Sequence, residues 1–326
     1  MLEHGGNLKQ AAQQYSIPLT SWLDLSTGIN PSHYPIPDIP VSAWQRLPDD
    51  HDGLIEAACQ YYGCSAALPT AGSQAAIQLL PKLRATGRIA MPSTMYQEHA
   101  HAWKKHGHTV TFFEKSPNID ELNQADILLI CNPNNPTGER FSKSELLQWH
   151  QQLATRGAWL IVDEAFMDTT PEDSIAAYAH LEGLFVLRSL GKFFGLAGAR
   201  VGFLLANQRY LTLAQKIIGP WSLTGASRYI AQQALLDDDW QKKTRQELIS
   251  NSNKLQQLLT QNGLPPKGGT ALFQYILSPH TLAIQHQLAQ QGIWIRALNP
   301  SSAVRFGLPP EDYWGRLELA LKRLNI

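Results

Sequence analysis

Cysteine is scarce in this chain of 326 residues: Cys59, Cys64 and Cys131 form an odd set without C-x-x-C spacing. That speaks against a disulfide framework or a zinc site, and free thiols in a reducing, cytoplasmic compartment are expected. An excess of either charge is also lacking, with 27 Lys and Arg against 27 Asp and Glu. No broad basic field exists to attract nucleic acid or an anionic membrane surface, so neither is expected as a partner. An anionic ligand must then be held by a few local cations. No uninterrupted apolar run reaches the roughly 18 residues of a membrane helix. The start, MLEHGGNLKQ, has no apolar stretch of the signal-peptide kind. Internal repeats and low-complexity tracts are missing as well.

What is present is apolar residue in quantity, 44% of the chain, enough for one large domain and a smaller one. Residues 31–52 carry Pro31, Pro35, Pro37, Pro40 and Pro48, so this stretch is expected to run irregularly over the surface. Helical periodicity marks Leu8–Tyr15, Leu54–Tyr62, Ala75–Leu83 and Glu98–His106. Short apolar runs mark strands at Arg88–Met91, Val110–Phe113, Ile127–Cys131, Trp159–Val162, Phe185–Leu187 and Val201–Ala206. Such runs suit strands buried on both faces, with helices between them, and strand–helix alternation predicts a mostly parallel α/β sheet. Beyond about residue 225 the pattern changes. One long helix is predicted over Ser227–Leu259, then a strand Leu272–Leu277 and a helix Leu282–Gln290. Strands Trp294–Arg296 and Val304–Gly307 and a last helix Glu311–Leu324 follow. The expected division is an N-terminal segment 1–40 joining the small domain, a large domain 41–225 and a small α+β domain 226–326.

Four segments carry chemistry. In Arg188-Ser-Leu-Gly-Lys-Phe-Phe-Gly-Leu-Ala-Gly-Ala-Arg-Val-Gly202, Lys192 sits among Gly191, Phe193, Phe194 and Gly195. Apolar surroundings lower a lysine's pKa and release its amine as a nucleophile. Ser189 three residues before it and Arg200 eight after it can together hold a phosphate. Asn132-Pro-Asn-Asn-Pro-Thr-Gly138 directly follows an apolar strand; by itself it reads equally as a turn. Asp163 closes the strand Trp159–Val162, and an acid at that end of a parallel strand faces the ligand crevice. Gly72, Ser73 and Gln74 open a helix, where free backbone N–H groups make a phosphate seat. Around His99, the neighbours His101, His106 and His108 complete no metal spacing, and no metal is expected.

Together and in this order, these segments resemble the aspartate-aminotransferase superfamily of pyridoxal-phosphate (PLP) enzymes. The resemblance implies the PLP-dependent transferase fold type I, with a mostly parallel central sheet flanked by helices and a smaller α+β C-terminal domain. It implies Lys192 as the residue that carries PLP as a Schiff base. Asp163 would face the pyridine nitrogen, Asn135 the ring oxygen, and Gly72, Ser73, Gln74, Ser189 and Arg200 the cofactor phosphate. An aromatic stacks on the ring in that family; the segment Met95–His99 points to His99, with Tyr96 second. Phe166 stands where aminotransferases commonly have a tyrosine.

The start His4-Gly5-Gly6-Asn7, with Leu25-Ser-Thr-Gly-Ile-Asn-Pro31, Asp163-Glu-Ala-Phe166 and Gly219-Pro-Trp-Ser222, is similar to the threonine-phosphate decarboxylases of cobalamin biosynthesis. Histidinol-phosphate aminotransferases are the close alternative, usually without the His-Gly-Gly-Asn start. The resemblance implies a small phosphorylated amino acid as substrate, L-threonine O-3-phosphate, and a homodimer with residues 31–52 and the N-terminus near its interface. Arg305 would bind the substrate carboxylate. Arg296 would hold its phosphate with His4, Gly5, Gly6 and Asn7, and Asn135 also borders the substrate. Family members often carry Tyr-Pro-Asp where this chain has Leu47-Pro48-Asp49, so a tyrosine contact to the partner's cofactor is missing here.

Overall fold

A computed structural model describes residues 5–298 and 301–325. From the N-terminus the strands are Leu23–Asp24 (β1), Leu68–Thr70 (β2), Arg88–Pro92 (β3), Thr109–Phe113 (β4), Ile127–Cys131 (β5), Trp159–Asp163 (β6), Leu184–Ser189 (β7) and Gly202–Ala206 (β8). The C-terminal part adds Gly268–Thr270 (β9), Phe273–Leu277 (β10), Ile293–Trp294 (β11), Arg296–Leu298 (β12) and Ala303–Gly307 (β13). Two compact units form. One comprises residues 34–135 and 140–241, the other residues 1–33, 136–139 and 242–326, against sequence boundaries at 40 and 225.

The larger unit holds a seven-stranded sheet in the order β2-β8-β7-β6-β5-β3-β4. β4, β3, β5, β6 and β7 run parallel to one another, while β8 is antiparallel to both β7 and β2. Every residue of β5, β6, β7 and β8 is buried, as expected for apolar strands covered on both faces. The register sets Cys131 beside Asp163 and Asp163 beside Leu187. The carboxyl ends of three central strands are thereby level, which brings the loops after β5 and β7 to Asp163.

The smaller unit has a four-stranded antiparallel sheet, β12-β13-β10-β9, and a parallel pair, β1 with β11. The segment Trp294–Arg296 is not one strand. Ile293–Trp294 pairs with β1 and Arg296–Leu298 with β13, with Ile295 as the switch between them.

The long helix expected over Ser227–Leu259 is two helices, Gly225–Leu236 and Asp238–Gln261. The reason is local. Asp237 leaves helical geometry (φ −91°, ψ 78°), and its carboxylate accepts the N–H of Trp240 at 3.0 Å, starting a new helix. The Gln241 amide donates to the carbonyls of Ala234 and Leu235, satisfying the end of the first. The last helix also starts later than expected, as a 3-10 turn Glu311–Tyr313 before Trp314–Leu321. The proline-bearing stretch 31–52 is irregular apart from a single turn, Ser42–Gln45.

Candidate active site

Asp163 ends β6 at 5% exposure. Its Oδ1 accepts the backbone N–H of Ala165 at 3.0 Å, and its Oδ2 lies 2.8 Å from His99 Nε2. A buried carboxylate requires donors and a positive partner, and this one has donors on both oxygens. His99 is fully buried. That leaves little ring surface for a ligand, and the Nε2 contact sets His99 against Asp163, where it directs the carboxylate. Tyr96, the second candidate, is half-buried at 6.2 Å from the His99 ring. Its hydroxyl donates to Gln74 Oε1 at 3.5 Å. Burial, then the charges of Glu98 and Asp163, push the Tyr96 hydroxyl up to about 12, with Arg200 acting in the opposite sense.

The loop after β5 is anchored at both ends of its Asn-Pro-Asn run. Asn132 N–H donates to the Asp163 carbonyl at 2.9 Å, and the Asn132 side chain exchanges bonds with the backbone of Phe141. The Asn134 amide donates to the Thr94 carbonyl at 2.7 Å. Asn135, half-buried, follows on this fixed frame, and backbone N–H groups of Tyr96 and Asn135 approach the Cys131 thiol. His99, Cys131 and Asp163 present ligand-type atoms within 4.8 Å of one another. Burial, then the Asp163 charge, hold the Cys131 thiol well above its usual value. Metal ligation needs the thiolate, so the trio is a poor metal site.

Ser189 is buried at the end of β7, and its hydroxyl accepts the N–H of Gly191 at 3.3 Å. Lys192 is half-buried, its Nζ 5.4 Å from the centroid of the buried Phe166 ring. Phe193 and Phe194 clamp the lysine loop in place. Both rings pack on Trp240, at 5.5 and 5.6 Å, and the Phe194 carbonyl accepts the Tyr34 N–H at 2.8 Å. Gly195 takes a positive φ of 67°, which a side chain would oppose.

The phosphate seat is compact. A Cβ on Gly72 (φ 74°) would lie 2.5 Å from Arg200 Nη2, and one on Gly202 would lie 2.5 Å from the Ser73 nitrogen. Only glycine lets the guanidinium rest on the turn that opens the helix Ser73–Leu79. Arg200 itself is left-handed (φ 56°), an uncommon geometry for a side-chain residue. Gln74 is held by Glu98, to which its amide donates at 2.7 Å. In the larger unit, then, Gly72, Ser73, Gln74, Tyr96, His99, Asn135, Asp163, Ser189, Lys192 and Arg200 lie at strand ends, in the loops that follow them and in the first turns of two helices. A buried carboxylate, an amine, a hydroxyl and a guanidinium beside a helix start are the set of groups that fits a phosphorylated pyridinium aldehyde.

In the smaller unit, Arg296 and Arg305 are direct cross-strand partners, and Tyr275 faces Arg305 from β10. Like charges so opposed are destabilising unless an anion is shared. Arg305 is buried and donates from Nη2 to the Ser26 carbonyl at 2.8 Å, over the Phe273 ring. Gly6 N–H donates to Ser26 Oγ at 2.7 Å. Asn7 is exposed at the start of the helix Leu8–Tyr15. His4 lies outside the described residues.

A buried network escaped the sequence reading. Arg188, fully buried in β7, donates to Glu164 Oε2 and Asp168 Oδ1, each at 2.6 Å, and its guanidinium lies 4.5 Å over the Tyr62 ring. Glu164 adjoins Asp163 and Arg188 adjoins Ser189, so this ion cluster ties together the ends of the two strands that bear candidate cofactor residues. The signal was present: an arginine inside a strand apolar on both faces needs buried carboxylates.

The model of the family "Aminotransferase class I and II" matches residues 45–324. Threonine-phosphate decarboxylase of Pseudomonas aeruginosa is 50% identical over 322 residues, covering 98% of this chain and 97% of that one. Threonine-phosphate decarboxylase of a Sinorhizobium species is 36% identical over 332 residues, covering 99% and 98%. Among solved structures, histidinol-phosphate aminotransferase of Sinorhizobium meliloti in complex with pyridoxal-5'-phosphate superposes with a TM-score of 0.82. It is 19% identical, covering 99% of this chain and 98% of that one, a likeness of fold. With that match over most of its length, and this sheet beneath these side chains, the chain belongs to the class I and II aminotransferase family.

Proposed function

We propose that the chain decarboxylates L-threonine O-3-phosphate to (R)-1-amino-2-propanol O-2-phosphate, for the cobalamin side chain, with pyridoxal 5'-phosphate as cofactor. The observation that carries this reading is end-to-end likeness at 50% identity to a protein named threonine-phosphate decarboxylase. When bound, PLP supplies an electron sink for the bond broken at the substrate's α-carbon. Lys192 would hold the cofactor through Nζ, and the same atom would be the proton carrier at the α-carbon. Asp163, directed by His99, faces the pyridine nitrogen and keeps it protonated. Asn135 faces the ring oxygen and borders the substrate. Phe166, buried and without a hydroxyl, leaves that oxygen one donor fewer than a tyrosine would give. Gly72, Ser73, Gln74, Ser189 and Arg200 take the cofactor phosphate, and Tyr96 covers the ring.

Arg305 takes the substrate carboxylate and Arg296 the substrate phosphate, with Gly5, Gly6, Asn7 and His4. A planar guanidinium suits both anions. Fold alone does not select decarboxylation over transamination; the arginine that takes the substrate carboxylate would decide which substrate bond is presented for cleavage. A homodimer is part of the proposal. It is supported by the exposed Ile36, Val41, Trp44 and Leu47 in one stretch, each more than 60% exposed. A cytoplasmic setting is proposed too; among the described residues no helix is long and apolar enough to cross a membrane.

The test is a product assay of PLP-loaded protein with L-threonine O-3-phosphate, scoring CO2, aminopropanol phosphate and keto acid. CO2 with aminopropanol phosphate and no keto acid, lost in Lys192→Ala, is expected. Turnover of histidinol phosphate with 2-oxoglutarate, and no CO2, would overturn the proposal in favour of an aminotransferase.

A further inference from the structure

Ser26 has no exposed surface and follows β1. Its hydroxyl donates to Asp24 Oδ1 at 2.6 Å, and the same oxygen accepts the Ser26 N–H at 2.8 Å, an Asx turn. With its only proton committed to Asp24, Oγ can offer lone pairs alone, and Gly6 N–H takes one. The backbone of Gly5 lies so close that a Cβ there would stand 2.5 Å from the Ser26 carbonyl oxygen. That carbonyl accepts from Arg305 Nη2. On the other side Gly307 N–H donates to the Leu25 carbonyl at 2.7 Å, and a Cβ on Gly307 would meet the Thr27 carbonyl. The segment Leu25–Thr27 is therefore gripped between two glycines, one in the N-terminal segment and one two residues beyond Arg305.

We propose that Ser26, oriented by Asp24, is a positioning residue for substrate recognition: its hydroxyl seats the Gly5–Gly6 end and its carbonyl seats Arg305. The proposal rests on the functional reading above, in which Arg305 meets the carboxylate and the N-terminal residues meet the phosphate. One bond from Nη2 to a rigid carbonyl fixes the plane in which the guanidinium presents its donors. The buried hydroxyl fixes the N-terminal chain by an acceptor whose direction Asp24 dictates.

The experiment compares Ser26→Ala, Ser26→Thr and Arg305→Met in PLP-loaded protein. It reads kcat and KM for L-threonine O-3-phosphate, and the Kd of aminopropanol phosphate from the cofactor's absorbance. Hydrogen exchange of the peptide containing Gly6 is the readout independent of activity. Ser26→Ala is expected to raise KM and the product Kd alike by about tenfold, because both ligands carry the phosphate, with kcat within about twofold. Exchange at Gly6 accelerates by about tenfold, and Ser26→Thr, which keeps the hydroxyl, returns each value towards the parent. Unchanged KM and unchanged exchange in Ser26→Ala, or a fall in kcat alone, overturns the proposal. Should Ser26→Ala fail to fold, Ser26→Cys, with its weak acceptor, is read in the same way. Arg305→Met is expected to raise KM while leaving the product Kd within about twofold, since the product has no carboxylate. Equal effects on both ligands overturn the reading of Arg305, and the Gly6 exchange result then still judges Ser26 on its own.

Discussion

His99 Nε2 stands 2.8 Å from Asp163 Oδ2, with both residues buried. Because a carboxylate only accepts, His99 places its proton on Nε2 and aims the carboxylate. His99→Phe, which would preserve a stacking ring, is expected to weaken PLP binding about tenfold or more by removing a charge-assisted bond. His99→Gln, which can still donate, should lose less. Fluorescence titration with PLP measures both. A His99→Phe protein that binds PLP like the parent would return His99 to a stacking role.

Gly72 and Arg200 are in contact that leaves no room for a methyl group. Gly72→Ala places a Cβ on a backbone at φ 74° and ψ 163°, a strain of about 1–3 kcal/mol, and pushes the guanidinium away. PLP affinity should fall at least about tenfold while Tm falls by only about 2–4 °C. Differential scanning fluorimetry with and without PLP separates the two effects. Unchanged affinity would remove Arg200 from the phosphate seat.

Arg188 carries two carboxylates in the core, and its loss strands both. Arg188→Met should cost about 3–5 kcal/mol. Burial holds the Glu164 carboxyl above its usual value, and Arg188 pulls it back down. A carboxyl whose folded pKa exceeds its unfolded one favours folding at low pH and loses that contribution as pH rises through the folded pKa. Removing Arg188 raises Glu164 further, so the deficit should be larger at pH 8 than at pH 5. Urea melts at both values test it; an equal deficit would mean that Glu164 does not titrate against Arg188.

The three thiols should react in order. A hydrogen bond from Cys64 lowers the half-buried Cys59 thiol, and that same bond, then burial, raises Cys64. Burial, then Asp163, raises Cys131 well above its usual value. Iodoacetamide near neutral pH should modify Cys59 first, Cys64 more slowly, and Cys131 only on unfolding. Peptide mapping by mass spectrometry reads the order, and rapid native labelling of Cys131 would contradict its burial beside Asp163.

The sequence by itself determined the central strands, because the apolar runs Ile127–Cys131, Trp159–Val162 and Leu184–Leu187 suit strands covered on both faces. It determined Gly72 and Gly195, since the turn before the helix Ser73–Leu79 and the loop after β7 take positive φ there. Short-range patterning could not show that Asp237 splits one helical run into two. The break depends on Gln241 reaching back to carbonyls that periodicity does not see. Nor could spacing rank His99 against Tyr96, since both fit a stacking ring until burial is known. Tertiary structure alone decided which partners distant residues meet: His99 with Asp163, Arg188 with Glu164 and Asp168, and Ser26 with both Gly6 and Arg305. Those pairings join residues 20 to 279 positions apart. They arise because buried polar groups must find donors and acceptors wherever the packed chain brings them, and no local pattern encodes that choice.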